Sequence, residues 1–115
     1  MAGNRGADAQ RTTEQFIPIG QSPGLSGVVT YMGEIVAVQS GSGTLTMRRP
    51  GDAGTVTVAI TGDTQIWLDR SAIGLSNVTG GFGDLAVGGV AEIHFRDQDT
   101  RRNAAWVKVQ SDDPG

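Results

Sequence analysis

Apolar and polar side chains alternate with a period of two through Thr44-Leu-Thr-Met-Arg48 and Thr55-Val-Thr-Val-Ala-Ile60. That spacing belongs to strands that turn one face inward. The same pattern recurs from Thr64 to Leu68, from Val90 to Arg96 and from Ala104 to Val109. A longer apolar stretch, Ser26 to Val38, has Gly33 at its middle, where a bulge or sharp bend fits. Turns are predicted at Gly41-Ser-Gly43, at Arg49-Pro-Gly-Asp-Ala-Gly54 and at Asp97-Gln-Asp-Thr-Arg-Arg-Asn103. Between Asp69 and Gly89 the alternation lapses, leaving room for one helical turn near Ser71 to Leu75. About six strands follow from this reading, and no long helix. The predicted inward set is Leu45, Met47, Val56, Val58, Ile60, Ile66, Leu68, Ala91, Ile93, Phe95, Ala105, Val107 and Val109.

Residues 1–15 show neither period and read as a polar tail. Phe16-Ile-Pro-Ile-Gly-Gln-Ser-Pro-Gly24 mixes large apolar side chains with prolines and glycines, which predicts an extended strap that needs a surface to lie on. Residues 25–110 form the β domain and 111–115 a short C-terminal tail. A bent first strand, a meander, a connecting segment and a closing hairpin describe an all-β, partly open OB-like barrel with an N-terminal arm. An SH3-like barrel and a small sandwich are the alternatives.

Composition narrows the functions. With 115 residues there is one small domain, and 18 glycines predict many turns. The absence of cysteine removes disulfides, thiolate metal sites and a cysteine nucleophile. A net charge of -3 gives no pull towards nucleic acid or anionic lipid. No apolar run reaches the roughly 20 residues of a membrane span. No charged segment followed by an apolar run opens the chain, so a cytoplasmic protein is expected, with carriage to the periplasm on an exported partner as the alternative.

The succession Gly33-Glu-Ile-Val-Ala-Val, Thr44-Leu-Thr-Met, Thr55-Val-Thr-Val, Thr64-Gln-Ile-Trp-Leu-Asp69, Asp84-Leu-Ala-Val-Gly88, Val90-Ala-Glu-Ile and Ala105-Trp-Val-Lys-Val resembles a family of small bacterial OB-like domains of unknown function. The resemblance covers residues 27–110, about three quarters of the chain, and rests mostly on fold punctuation. It implies the barrel and an envelope or secreted setting, but no activity. The strap at Phe16 to Gly24 and the missing export signal depart from the family pattern.

Candidate chemistry is sparse. Gly20-Gln-Ser-Pro-Gly24 spells a nucleophile elbow, yet lacks the strand before it and the α/β sheet beneath, so a Pro-Gly turn is expected. Gly81-Phe-Gly-Asp-Leu-Ala86 spells a loose dinucleotide fingerprint outside any βαβ unit and reads as a glycine-rich loop. His94, the only histidine, points outward beside Glu92 and Arg96 on the period-two reading. Asp97 and Asp99 begin like a calcium loop that Arg101 interrupts, and Asn77-Val-Thr79 is a glycosylation sequon expected by chance. The second and third strands carry no aromatic ring on which bases could stack, which argues against nucleic acid. No catalytic, cofactor or metal residue is expected.

Partner binding remains. Trp67 shares a face with Gln65 and Asp69, and Trp106 shares one with Lys108, so both indoles point away from the core; the alternative is that a bulge flips one of them inward or that the N-terminal segment covers them. Exposed tryptophans favour interface centres. The expectation is a non-catalytic accessory subunit that docks on a larger protein, or on copies of itself, through Phe16, Ile17, Pro18, Ile19, Pro23, Tyr31, Trp67 and Trp106. An OB-type module for single-stranded nucleic acid or a small polar ligand is the alternative.

Overall fold

Strand-forming runs of Val, Thr and Ile separated by glycine turns assemble a mixed sheet in the computed structural model, which describes residues 14–49, 51, 54–97, 99–100 and 102–112. Among these residues the strands are β1 (Tyr31–Gln39), β2 (Thr44–Arg48), β3 (Thr55–Ala59), β4 (Gln65–Asp69), β5 (Val78–Thr79), β6 (Val90–Phe95) and β7 (Ala104–Gln110). They lie in the order β3-β2-β1-β6-β7-β4-β5. Every neighbouring pair is antiparallel except β4 and β7, which run parallel. Single helical turns at α1 (Ser22–Leu25), η1 (Ser71–Ile73) and η2 (Phe82–Asp84) complete the elements. No helix among the described residues is long and apolar enough to cross a membrane.

The first strand divides its work. Residues 31–34 pair with β6 and residues 34–39 with β2. The register slips between Ile35 and Ala37, so the bulge falls at Val36 and not at Gly33 as predicted. Gly33 is needed for another reason. A Cβ there would lie 2.3 Å from the Arg48 carbonyl oxygen, so only glycine lets the two backbones approach. The strand also starts at Tyr31 rather than Ser26: residues 27–30 form no regular element, and Val29 and Thr30 bond side chains of β6 instead of a neighbouring strand's backbone.

One face of the sheet encloses a single apolar cluster that draws on β1, β2, β3, β4, β6 and β7. Most of the predicted inward set is there. Val56, Ile60 and Leu68 pack only partly against it, and Ala105 is replaced by Ala104. The register shift after His94 explains the exchange: Phe95 faces Ala104 while His94 faces Trp106, so Ala105 is the unpaired extra residue. The sheet stays open in its strand order. The outer edge of β3 meets the last hairpin at one point, where the Ala59 N–H donates to the Arg102 carbonyl at 2.7 Å.

Hydrogen bonds show what Asp97 and Asn77 do in the connections. Asp97 accepts from the Thr100 hydroxyl and from the main-chain N–H of Arg102 and Asn103, so its carboxylate caps the last hairpin. Asn77 is buried, and its side chain ties Arg70 N–H to the Gln15 carbonyl, which makes the sequon asparagine a brace.

Candidate functional site

Alternation that sends Ile93, Val107 and Ile66 into the core must send Glu92, Lys108 and Trp67 to the opposite face. Register then lines them up. Met32 opposes Glu92, Glu92 opposes Lys108, Lys108 opposes Trp67, and Trp67 opposes Thr79, giving one rung across five strands. A second rung runs His94, Trp106, Gln65. The indoles of Trp67 and Trp106 approach to 5.4 Å between centroids, and the His94 ring lies 5.8 Å from Trp106. Lys108, the only lysine in the chain, holds its Nζ 4.8 Å from the Trp106 centroid and 6.0 Å from that of Trp67.

Residues 14–30 lie over these rungs and complete the polar bonding of the face. Lys108 Nζ donates to the Ile17 carbonyl at 2.6 Å and to Ser22 Oγ at 3.3 Å. The Ile19 N–H donates to Asp69 Oδ2 at 2.6 Å, and the Gly20 N–H donates to Glu92 Oε1 at 3.1 Å. Thr30 Oγ1 donates to the other Glu92 oxygen at 2.8 Å. Asn77 Nδ2 reaches the Gln15 carbonyl at 2.8 Å. Gly20 sits at φ +88°, with Met32 Sδ 3.2 Å from where a Cβ would stand, so the turn that aims its N–H at Glu92 suits glycine alone.

Lys108 and Glu92 are wholly buried, and Asp69 nearly so. Burial pushes the Lys108 ammonium below its usual 10.5, and the carboxylates of Glu92, Glu14 and Asp69 pull the other way. Both oxygens of the buried Glu14 carboxylate lack a hydrogen-bond donor among the described residues.

The placement of the predicted contact residues changes accordingly. Trp67 and Trp106 do face away from the core, but at 3% and 6% exposure they form no open patch. The N-terminal segment roofs them. Tyr31 is buried in the core, edge-on to Phe95. Ile17 is buried under the segment, Pro18 and Ile19 are half-buried, and Phe16 and Pro23 face outward. The segment is not an extended strap. Residues 14–16 are helical, Pro18 to Gln21 close a turn, and Pro23 at the first turn of α1 starts a helix its fixed φ favours. Ser22, the elbow serine, is fully enclosed and serves as an acceptor for Lys108.

The chain matches no protein-family model, no curated protein and no solved structure. Its site therefore stands on its own geometry.

Chemically, the face reads main-chain atoms. Three charged side chains and one amide each hold a peptide carbonyl or N–H of the segment, while the indole pair gives the ammonium an aromatic floor. Alternation alone puts Trp106 on a face with Lys108 and Trp67 on one with Asp69, and joins the two indoles in one expected patch, but it does not set Lys108 against Trp67. Only the parallel pairing of β4 with β7 brings Trp67 beside Lys108. The signal was a solitary lysine among eight arginines, at a strand position between two core valines.

Away from this face, an open crevice of about 290 Å³ lies between Ala72, Gly89, Val90, Gln110 and Asp112. Its walls are small or solvated side chains with no buried charge among the named residues.

Proposed function

We propose that this protein is a non-catalytic accessory subunit, an OB-like partly open barrel that docks on a larger protein through the outer surface of its N-terminal segment. The observation that carries the reading is the exposure of Phe16 at 48%, Leu25 at 67%, Val29 at 58% and Met32 at 41%, all in or directly after that segment. A short piece of chain presenting four large apolar side chains to water fits a surface that another protein covers. Each such side chain, already about half covered, gains at a contact only part of the roughly 1.5–3 kcal/mol that full burial supplies. The docking set thus shifts from the covered indoles to these residues. The Ala59 to Arg102 bond, which links β3 to the last hairpin, supports the barrel.

The alternative, a module that stacks bases or a small polar ligand on its sheet, is less well served, because the indoles of Trp67 and Trp106 lie beneath residues 14–30.

The reading is tested with the tagged full chain and a variant carrying Phe16→Ser, Leu25→Ser and Val29→Ser. These substitutions are at exposed positions, and circular dichroism checks that the variant keeps the native fold. The native chain is expected to retain a stoichiometric protein from its own cell extract and the variant to lose it. Equal retention by both, or a free monomer in both, would refute the docking surface.

A further inference from the structure

We propose that the second face of the sheet is a peptide groove, and that the N-terminal segment is a tethered occupant which the same segment of a second copy can replace. The recognition is almost wholly of main-chain atoms. Lys108 holds the Ile17 carbonyl, Asp69 the Ile19 N–H, Glu92 the Gly20 N–H and Asn77 the Gln15 carbonyl. None of these bonds depends on the segment belonging to the same chain. Glu14, Ile17 and Ser22 are the segment's buried side chains, and they supply the specificity.

The seat is also of a kind that can open. Lifting a cover from an apolar core exposes hydrocarbon to water, which is costly at every Å². Lifting this one exposes Ile17 and the indoles of Trp67 and Trp106, but it also hydrates Lys108, Glu92 and Asp69, whose removal from water carries a penalty of several kcal/mol per ion and so offsets part of that cost. It also hydrates the Glu14 carboxylate, which gains no donor from the described residues when closed. The tether is suited to the movement. Residues 27–30 form no regular element, Gly27 adopts φ +82°, and no atom lies within 4 Å of where its Cβ would stand. Two bonds fix the base of the hinge, Val29 carbonyl to His94 Nδ1 and Thr30 Oγ1 to Glu92.

A second copy is the occupant because it carries the one sequence these contacts already fit. A short flexible tether gives the chain's own segment an effective concentration on the order of mM. Exchange therefore emerges as protein concentration nears that range, or at lower concentration once the chain's own segment is weakened.

Because Lys108 is the only lysine, an amine-reactive acetylating reagent reports on the groove at one side chain, read by peptide mass spectrometry. In the full-length Ile17→Ser variant, acetylation of Lys108 is expected to rise at least about tenfold over the native chain, since the lost anchor loosens the cover. A synthetic peptide of residues 14–26 at mM concentration should then restore protection, and the same peptide carrying Ile17→Ser should not. Failure of the native peptide to protect Lys108 in the folded variant overturns the proposal. Should that variant not fold, deletion of residues 27 and 28 from the native chain tests the same point by sedimentation. A hinge too short to fold back should yield a dimer with Lys108 still protected, and a monomer would overturn the proposal. Neither readout involves Phe16, Leu25 or Val29 binding a larger protein, so this inference and the docking surface fail separately.

Discussion

The two faces of the sheet are made from the same strands and are sealed by opposite means. Ile35, Ile93, Val107 and their neighbours close the core face by packing hydrocarbon on hydrocarbon. One residue along each strand, Glu92 and Lys108 are closed instead by hydrogen bonds to residues 14–30, beside the paired indoles of Trp67 and Trp106. The core face holds because water is expelled from it. The second face holds because every charge on it finds a substitute for water in residues 14–30, Glu14 apart. Equal burial therefore does not mean equal strength: the first seal breaks only with the domain, whereas the second can be undone locally.

The largest expected effect lies on the core face. Ile93→Ala should cost about 4 kcal/mol, measured as the denaturant midpoint at unchanged slope, because a filled site becomes a cavity. Gly33→Ala should follow at about 3 kcal/mol, since the new methyl meets the Arg48 carbonyl and the backbone has to move. On the second face the outcome depends on what replaces the charge. Lys108→Met keeps the aliphatic stem over the indoles but strips the buried carboxylates of Glu92 and Asp69 of their cation, a loss of about 3–5 kcal/mol in a face that must stay shut; a face that opens lets water take the ammonium's place, so global stability should fall by less than about 2 kcal/mol while the segment loosens. If Lys108→Met instead unfolds the domain as Ile93→Ala does, the two seals are of one kind.

A pH titration separates them further. Lys108 has a folded pKa lowered from 10.5 by burial, so between that lowered value and 10.5 the unfolded chain binds more protons than the folded one. Stability therefore gains from this group as pH rises through the window. Native chain measured against Lys108→Met should show a difference that shifts in favour of the native chain as pH approaches 10.5. The smallest effect is at the last hairpin. The Thr100 hydroxyl, then the Asn103 and Arg102 N–H groups, hold Asp97 at about 2, down from 3.8. Its contribution is present above 3.8 and fades as pH falls towards 2, a dependence that Asp97→Asn should remove.

Much of the core face was legible in the sequence because period-two alternation reports which side chains share a face. Leu45, Met47, Val58, Ile93 and Val107 follow from it directly. The alternation misleads where a bulge intervenes, as at Ala104 and Ala105, and it is blind to β5, whose two residues are too few to show a period. The second face was harder. Its residues were correctly placed opposite the core, but whether an outward tryptophan meets water depends on a segment distant in sequence. The joining of Trp67 to Lys108 depends on a parallel pairing that no local pattern announces.

Amide hydrogen exchange on the native full-length chain bears most directly on the contrast between the faces. The Ile19 and Gly20 amides, bonded to Asp69 and Glu92, should exchange through an opening several kcal/mol cheaper than that of the Ile35 amide, which is bonded to the Gly89 carbonyl. Exchange of all three at one common slow rate, set by global unfolding, would contradict a separately opening second face.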